Sequence, residues 1–281
     1  MQQRIFGWSG QRLPVIGQGT WQMEKDDRGA CITALRHGIE LGLTHIDTAE
    51  LYGDGYVEEL IVAQAIAGRR DRVFLASKVI PDHASYEGTL AACEASLRRL
   101  GTDHLDLYLL HWRGTQPLAR TIAAFERLVD EGKIRFYGVS NFDADDLQEL
   151  LAIAGPERAL CDQVLYHLGQ RAAETGVAAT CGEQRMALVA YSPLGHGRMP
   201  SPRSAEGLLL AQIAEAHAVA PRAVALAFLL RQGTFAIPKT TSTAHVADNA
   251  AAADLQLSND EVARIDAAFP TGPTVEPLPM L

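Results

Sequence analysis

"THIDTAELYGDGYVEELIVAQAI", residues Thr44 to Ile66, decides the fold. "THID" reads as the end of a buried strand. A polar, glycine-rich loop follows, and "YVEELIVAQAI" opens a helix. An aspartate, Asp47, closes the strand, and a tyrosine, Tyr52, follows five residues later. A carboxylate at a strand tip needs a partner. What the pair does depends on which other residues reach the same place.

The same strand–loop–helix unit recurs along the chain. Strand-like runs are expected at Val15–Gly19, Thr44–Asp47, Arg72–Ser77, Leu105–Leu110, Ile134–Val139, Leu160–Gln163, Ala187–Tyr191 and Phe235–Ile237. Helices are expected between them at Arg28–Leu41, Tyr56–Ala67, Tyr86–Leu100, Arg120–Glu131, Asp143–Ala154, Arg171–Gln184, Ala205–Ala218 and Thr243–Ala253. Two further helices are expected at Pro221–Arg231 and Ser258–Ala268. In "FDADDLQELLAIAG", Asp143 can cap the free amides, Leu147, Leu150 and Leu151 form a stripe, and Gly155 ends the run. "QRIFG" and "QRLPVIG" can pair as a hairpin across "WSG". "QPLAR" and "GHGRMPSPRSAEG" read as irregular.

Eight strands, each followed by a helix, predict a (β/α)8 TIM barrel with an N-terminal β-hairpin and extra C-terminal helices. The 281 residues suit one such barrel domain, 1–281. A doubly wound sheet would carry GxGxxG after its first strand. "GQGTWQ" does not continue that way, and "GDGYVE" lacks the third glycine.

A net charge of −9 argues against a nucleic-acid surface, which needs clustered Lys and Arg. The four cysteines fit no metal-ligand spacing and read as small buried residues of a reducing compartment. "MQQRIFGWSG" lacks the apolar core of a signal peptide, and the longest apolar run, Ala223 to Leu230, falls short of a membrane span. A soluble cytoplasmic protein is expected, with no metal, nucleic-acid or membrane partner.

Barrel active sites collect at the C-terminal strand ends. There the chain places Asp47 with Tyr52, then Lys78, His111 with Trp112, Ser140 with Asn141, Gln163, Tyr191 and Lys239. Singly, Lys78 reads as a solvated rim charge, His111 as a group between core and loop, Tyr52 as packing and Asp47 as a cap. Together Asp47, Tyr52, Lys78 and His111 have a chemical logic. Free tyrosine has a pKa of about 10. A lysine ammonium favours the phenolate and lowers that value, and an aspartate holds the lysine charged. A neutral histidine can donate to a carbonyl oxygen that tyrosine then protonates. That is reduction of a C=O, and the hydride must come from a nicotinamide or flavin.

These residues resemble the aldo-keto reductase family over nearly the whole chain. The resemblance rests, in order, on "GTW" (Gly19–Trp21), "HIDTAELYG" (His45–Gly53), "SK" (Ser77–Lys78), "LDLYLLHW" (Leu105–Trp112), "GKIRFYGVSNF" (Gly132–Phe142), "DQVLYH" (Asp162–His167), "AYSPLG" (Ala190–Gly195) and "IPKT" (Ile237–Thr240). More narrowly, the chain is similar to the bacterial branch with methylglyoxal and diketogluconate reductases. The resemblance implies Tyr52 as acid, Lys78 and Asp47 tuning it, and His111 orienting the carbonyl. It implies NADPH, with NADH as a secondary cofactor. Ser140, Asn141 and Gln163 would hold the carboxamide, and Tyr191 would stack on the nicotinamide. Ser192, Leu194 and Gly195 would line the pyrophosphate, with Gly19, Thr20 and Asp47 also on the cofactor. Lys239 and Thr240 would meet the 2′-phosphate, with His245 close by and Asn249 near the adenine. Trp21, Tyr52, His111 and Trp112 would wall the pocket for a small carbonyl substrate.

The chain departs from the family pattern at several positions. His245 stands where the family commonly has arginine, which weakens the expected NADPH preference because imidazole is not a permanent forked cation. Thr240 replaces serine, Asp248 a glutamate and Asp162 a frequent asparagine, and Val79 stands where many members carry an aromatic. The short tail "TGPTVEPLPML" suggests an open pocket and small polar substrates. A monomer is expected. Two other classes remain open on the residues alone. One is a cofactor-sensing protein on the same scaffold, disfavoured by the lack of a docking segment. The other is a metal-dependent barrel hydrolase, which would need more ligands than Asp47 and His111.

Overall fold

Closing a ring of strands requires the first and last strands to meet, and here glycines allow it. The computed structural model describes residues 1–272 and 278–281. A hairpin of β1 (Gln3–Ile5) and β2 (Arg12–Pro14) precedes eight parallel strands that neighbour one another in chain order. These are β3 (Gln18–Gly19), β4 (His45–Asp47), β5 (Phe74–Val79), β6 (Leu105–Leu110), β7 (Ile134–Ser140), β8 (Ala159–Leu165), β9 (Ala187–Tyr191) and β10 (Phe235–Ile237). At the seam, the Gly17 amide donates to Ala236 O at 2.8 Å and the Ala236 amide donates to Val15 O at 3.0 Å. A Cβ on Gly17 would lie 2.6 Å from His45 O, and one on Gly19 would lie 2.6 Å from Ile237 O. Only glycine lets the two backbones approach this closely. The expected Val15–Gly19 strand therefore divides its pairing: residues 15–17 bond to β10, and Gln18–Gly19 forms the ladder with β4.

The hairpin plugs one end of the barrel. Phe6 is fully buried, with its ring centroid 4.8 Å from Phe235 and 5.6 Å from Phe74 and His45, the first residues of β10, β5 and β4. Trp8 Nε1 donates to Ala159 O at the start of β8. Burial pushes the His45 imidazole down to about 4, so this base of the plug is uncharged. The N-terminal mouth is thus filled with apolar side chains. Only the opposite end is left for a polar cleft.

The outer layer comprises α1 (Arg28–Glu40), α2 (Ala63–Ile66), α3 (Tyr86–Leu100), α4 (Leu118–Asp130), α5 (Ala144–Ala154), α6 (Val177–Glu183), α7 (Ala205–Ala216), α8 (Pro221–Leu230), α9 (Thr243–Ala252) and α10 (Asn259–Ala268). In α4, Leu118, Ile122, Phe125 and Leu128 recur on one buried face. Each such side chain contributes about 1.5–3 kcal/mol on burial. In α5, Asp143 and Asp146 form a reciprocal capping box, and Gly155 ends the helix as expected. Among the described residues no single helix is long and apolar enough to cross a membrane. All four cysteines are free and buried. Burial raises the thiols of Cys31 and Cys93 to about 11 and about 12, which leaves them inert at neutral pH.

Three expected elements differ. "QPLAR" is not irregular throughout: Pro117, with φ −58° and ψ 123°, occupies the N-cap position without a side-chain cap, and α4 starts at Leu118 rather than Arg120. The expected helix Arg171–Gln184 breaks at Gly176 into a 3-10 turn, Ala172–Thr175, and α6. Arg171 is buried there and is held by Glu174 at 2.8 Å and Asp266 at 2.7 Å, which ties this segment to α10. The expected helix Tyr56–Ala67 opens as a π-helix over Val57–Val62. In that wide turn the buried Glu58 accepts from Ser77 Oγ at 2.5 Å and from Arg99 Nε at 2.7 Å, bolting the segment to β5.

Asp162 stands out in the β8 layer. It is fully buried, and among the described residues neither carboxylate oxygen has a hydrogen-bond partner. Burial pushes its carboxyl well above the ordinary range. The Phe142 amide opposes this without reaching hydrogen-bond geometry, while Asp146 and Asp143 add to the rise. A raised folded value means stability is lost as pH climbs past the unfolded value of about 3.9. Asp162→Asn should therefore stabilise the fold by about 1–2 kcal/mol at pH 8, and by much less at pH 4. Thermal melts at the two pH values check this, and an equal shift at both would refute it.

Candidate active site

Lys78 lies on β5 and points into the barrel, where it has no exposed surface. An ammonium in that position must give each of its three protons an acceptor. Asp47 Oδ1 takes one at 2.5 Å, Thr48 O one at 2.9 Å and Tyr52 OH one at 3.3 Å. Asp47 is itself held on both sides: its Oδ2 accepts from Gln163 Nε2 at 2.8 Å, and its carbonyl accepts from Thr20 Oγ1 at 2.9 Å. The solvated-rim reading of Lys78 is overturned. It is the buried base on which Tyr52 stands.

Burial would lower the Lys78 pKa, but Asp47 and Tyr52 outweigh it and the net direction is up. The side chain therefore stays charged at neutral pH. The expected direction for Tyr52 is reversed. Burial raises its pKa further than Lys78 lowers it, and Asp47 adds to the rise. Tyr52 is accordingly a phenol, with its proton in place, throughout the neutral range.

His111 follows β6, with its ring edge-on to Tyr52 at 5.9 Å between centroids. Burial, helped by Lys78, holds it well below the ordinary imidazole value, so it is neutral. Among the described residues its Nδ1 is buried without a partner. A buried N–H without an acceptor is costlier than a bare lone pair, so the proton belongs on Nε2. The next strand ends carry a second network. Asn141 adopts a left-handed conformation, φ 60°, which asparagine tolerates better than most residues. Its Nδ2 donates to His111 O at 3.0 Å and to Ser140 Oγ at 3.1 Å, and its Oδ1 accepts from Tyr191 OH at 2.8 Å. Ser140 Oγ in turn donates to Gln163 O at 2.7 Å.

These groups open onto one cleft of about 540 Å³, within the usual range for a small-molecule site. Of the residues expected from the sequence, Gly19, Thr20, Trp21, Asp47, Tyr52, His111, Trp112, Ser140, Asn141, Gln163, Tyr191, Ser192, Leu194, Lys239 and Thr240 line it. Lys78 lies beneath it. Gly195 turns the loop just outside it, with φ 63°. His245 is exposed in the first turn of α9. Asn249 is buried behind Thr240, in a separate small void, with its Oδ1 unpaired. The structure adds Leu51, His196, Met280 and Leu281 to the wall. Leu51 and His196 sit inside stretches that sequence reading treats as loop, and nothing in their type singles them out. The open-pocket expectation from the tail rests partly on residues 273–277, which lie outside the described residues.

Asp47→Asn isolates the central pair. Lys78 would keep the burial that disfavours its charge and lose the counter-ion. The fold should weaken by about 3–5 kcal/mol at neutral pH, which lowers the melting temperature by roughly 6–10 °C. The stranded lysine would then have a depressed folded pKa, so the deficit should shrink as pH rises from 6.5 to 9.5. Thermal unfolding at both pH values checks this. A deficit independent of pH would mean that Lys78 is not the stranded charge.

Residues 15–269 match the family model described as the Aldo/keto reductase family. The chain is 47% identical over 274 residues to the methylglyoxal reductase YeaE of Escherichia coli, with 96% of each chain covered. It is 34% identical over 259 residues to the glyoxal reductase of Bacillus subtilis, covering 92% of this chain and 90% of that one. A crystal structure of an aldo/keto reductase from Klebsiella pneumoniae in complex with NADP and acetate superimposes with a TM-score of 0.93 at 43% identity, over 100% of both chains. The barrel, the four converging side chains and these likenesses agree: the chain belongs to the aldo/keto reductase family and is an oxidoreductase.

Proposed function

We propose that this protein reduces the carbonyl group of small aldehydes and α-dicarbonyls, such as methylglyoxal, to an alcohol, with NADPH as the reductant and Tyr52 as the acid. The observation that carries the reading is Lys78 Nζ, fully buried, 3.3 Å from Tyr52 OH at the base of the cleft. The named activity of the Escherichia coli relative supports the substrate class. The NADP complex of the Klebsiella pneumoniae neighbour supports the cofactor.

The residues of the cleft fit a nicotinamide. A carboxamide needs both a donor and an acceptor, and Ser140, Asn141 and Gln163 present both kinds along one wall. The Tyr191 ring lines the same wall, and its hydroxyl is anchored on Asn141. Reduced nicotinamide, when bound, supplies the hydride that adds to the carbonyl carbon. The chain's own part is at the oxygen. Neutral His111 donates from Nε2 and orients the carbonyl. Tyr52 gives its proton to the oxygen as negative charge develops there, and Lys78 stabilises the phenolate that remains. Asp47 keeps Lys78 charged and aimed. Trp21 and Trp112 supply apolar walls. His111 sits too far below its ordinary value to be charged at neutral pH, so it orients rather than protonates.

NADPH oxidation with methylglyoxal tests this directly. Wild-type protein should turn over, and Tyr52→Phe should lose about 10²–10⁴-fold in the chemical step with NADPH binding retained. A variant that keeps most of the rate would remove Tyr52 from the acid role. Neither His111 nor Tyr52 should titrate between their ordinary values of about 6.5 and 10. The reduction rate should accordingly stay level across that interval and fall only as Tyr52 ionises above it.

A further inference from the structure

Lys239 is the only lysine or arginine among the described residues that line the cleft. It follows β10, beside the seam where Gly19 N donates to Pro238 O at 3.2 Å. Its ammonium is already engaged, in an ion pair with Asp26 Oδ2. Asp26 closes the short Met23–Lys25 turn that runs on from the cleft-lining residues Trp21 and Gln22. The pair therefore straddles the barrel seam, with each arm on a loop that forms part of the cleft wall. Both loops are anchored. The Asp26 amide donates to Met23 O at 3.2 Å, and the Ser242 amide donates to Thr240 Oγ1 at 3.1 Å. Both side chains are about one-third exposed, at 32% for Lys239 and 33% for Asp26, so a ligand can reach them.

NADPH differs from NADH by one phosphate on the adenosine ribose. Among the described residues that line the cleft, a dianion meets one cation, Lys239, and that cation has an internal carboxylate partner. His245, at the start of α9, adds no permanent charge. We propose that Asp26 is a specificity-determining residue: it competes with the 2′-phosphate for Lys239 and so restrains the preference for NADPH over NADH. NADPH must displace the Asp26 carboxylate and then sit beside it. NADH has no group to exchange for it. The inference rests on the proposed use of nicotinamide dinucleotides. An exposed ion pair is weak, so the restraint is a modest one that binding measurements can resolve.

Equilibrium titration of the full chain with NADPH and with NADH, followed by quenching of tryptophan fluorescence, tests this without turnover. Asp26→Asn should tighten NADPH binding roughly fivefold and leave NADH within about twofold. In a Lys239→Met background the same substitution should bring no gain, because the competed cation is gone. Equal tightening of both dinucleotides, no change with either, or a gain that persists without Lys239 would each overturn the proposal. If wild-type protein binds neither dinucleotide, the cofactor reading itself falls and takes the inference with it. If it binds both and Asp26→Asn is not selective, only the inference falls.

Discussion

A lysine ammonium with no exposed surface lies at the centre of this molecule, and much of the site is arranged to satisfy it. Charge in a low-dielectric interior is costly unless every proton is matched. The three acceptors of Lys78 come from β4 and the loop after it: the Asp47 carboxylate, the Thr48 carbonyl and the Tyr52 hydroxyl. That requirement fixes the course of residues 47–52 relative to β5. It also reaches further round the ring, because Asp47 is held in turn by Gln163 from β8. Four strands apart in the barrel, β4 and β8 are joined through one carboxylate.

That Tyr52 keeps its proton follows from the same constraint. A lysine beside a tyrosine in water would pull the phenol toward ionisation. Inside the barrel, desolvation of the phenolate is the larger effect, and the proton stays on oxygen. In the proposed reaction the lysine matters after the proton has left, when it faces a buried phenolate rather than a phenol. His111, kept neutral by burial and by Lys78, completes the arrangement: in the proposed reaction it is the donor that orients, beside the acid that transfers.

Much of this was legible from sequence, and the reason is local. "HID", "SK" and "LLH" each end a strand, and a barrel brings strand ends together whatever the intervening loops do. Knowing the strand order was enough to collect Asp47, Lys78 and His111. Gly19 is a close-approach position whose neighbour, Ile237 O, becomes visible only when the seam is closed, and Gly17 approaches His45 O of the neighbouring β4. Less legible were features set by contacts distant in sequence. The π-helix at Val57–Val62 goes with Glu58 meeting Arg99, 41 residues away. The broken helix after Arg171 is tied to Asp266, 95 residues away. The sign of the Tyr52 shift depends on burial, which no motif encodes.

The cofactor end of the cleft is where legibility was lowest, because charges there are set by pairs rather than by single residues. Lys239 taken alone would offer a phosphate an unopposed cation. Lys239 with Asp26 beside it is a partly neutralised one. His245 in place of an arginine shifts the balance the same way, since an imidazole offers no forked contact. Asn249, the other expected adenosine contact, lies in a separate void behind Thr240 with its side-chain oxygen unpaired. The floor of the cleft is closed by three matched hydrogen bonds on one lysine and leaves little room for variation. The dinucleotide rim consists of exposed side chains on loops, where one carboxylate can move specificity without touching the chemistry. On the proposed reading the buried layer sets the reaction, and the surface layer above it tunes the choice of reductant.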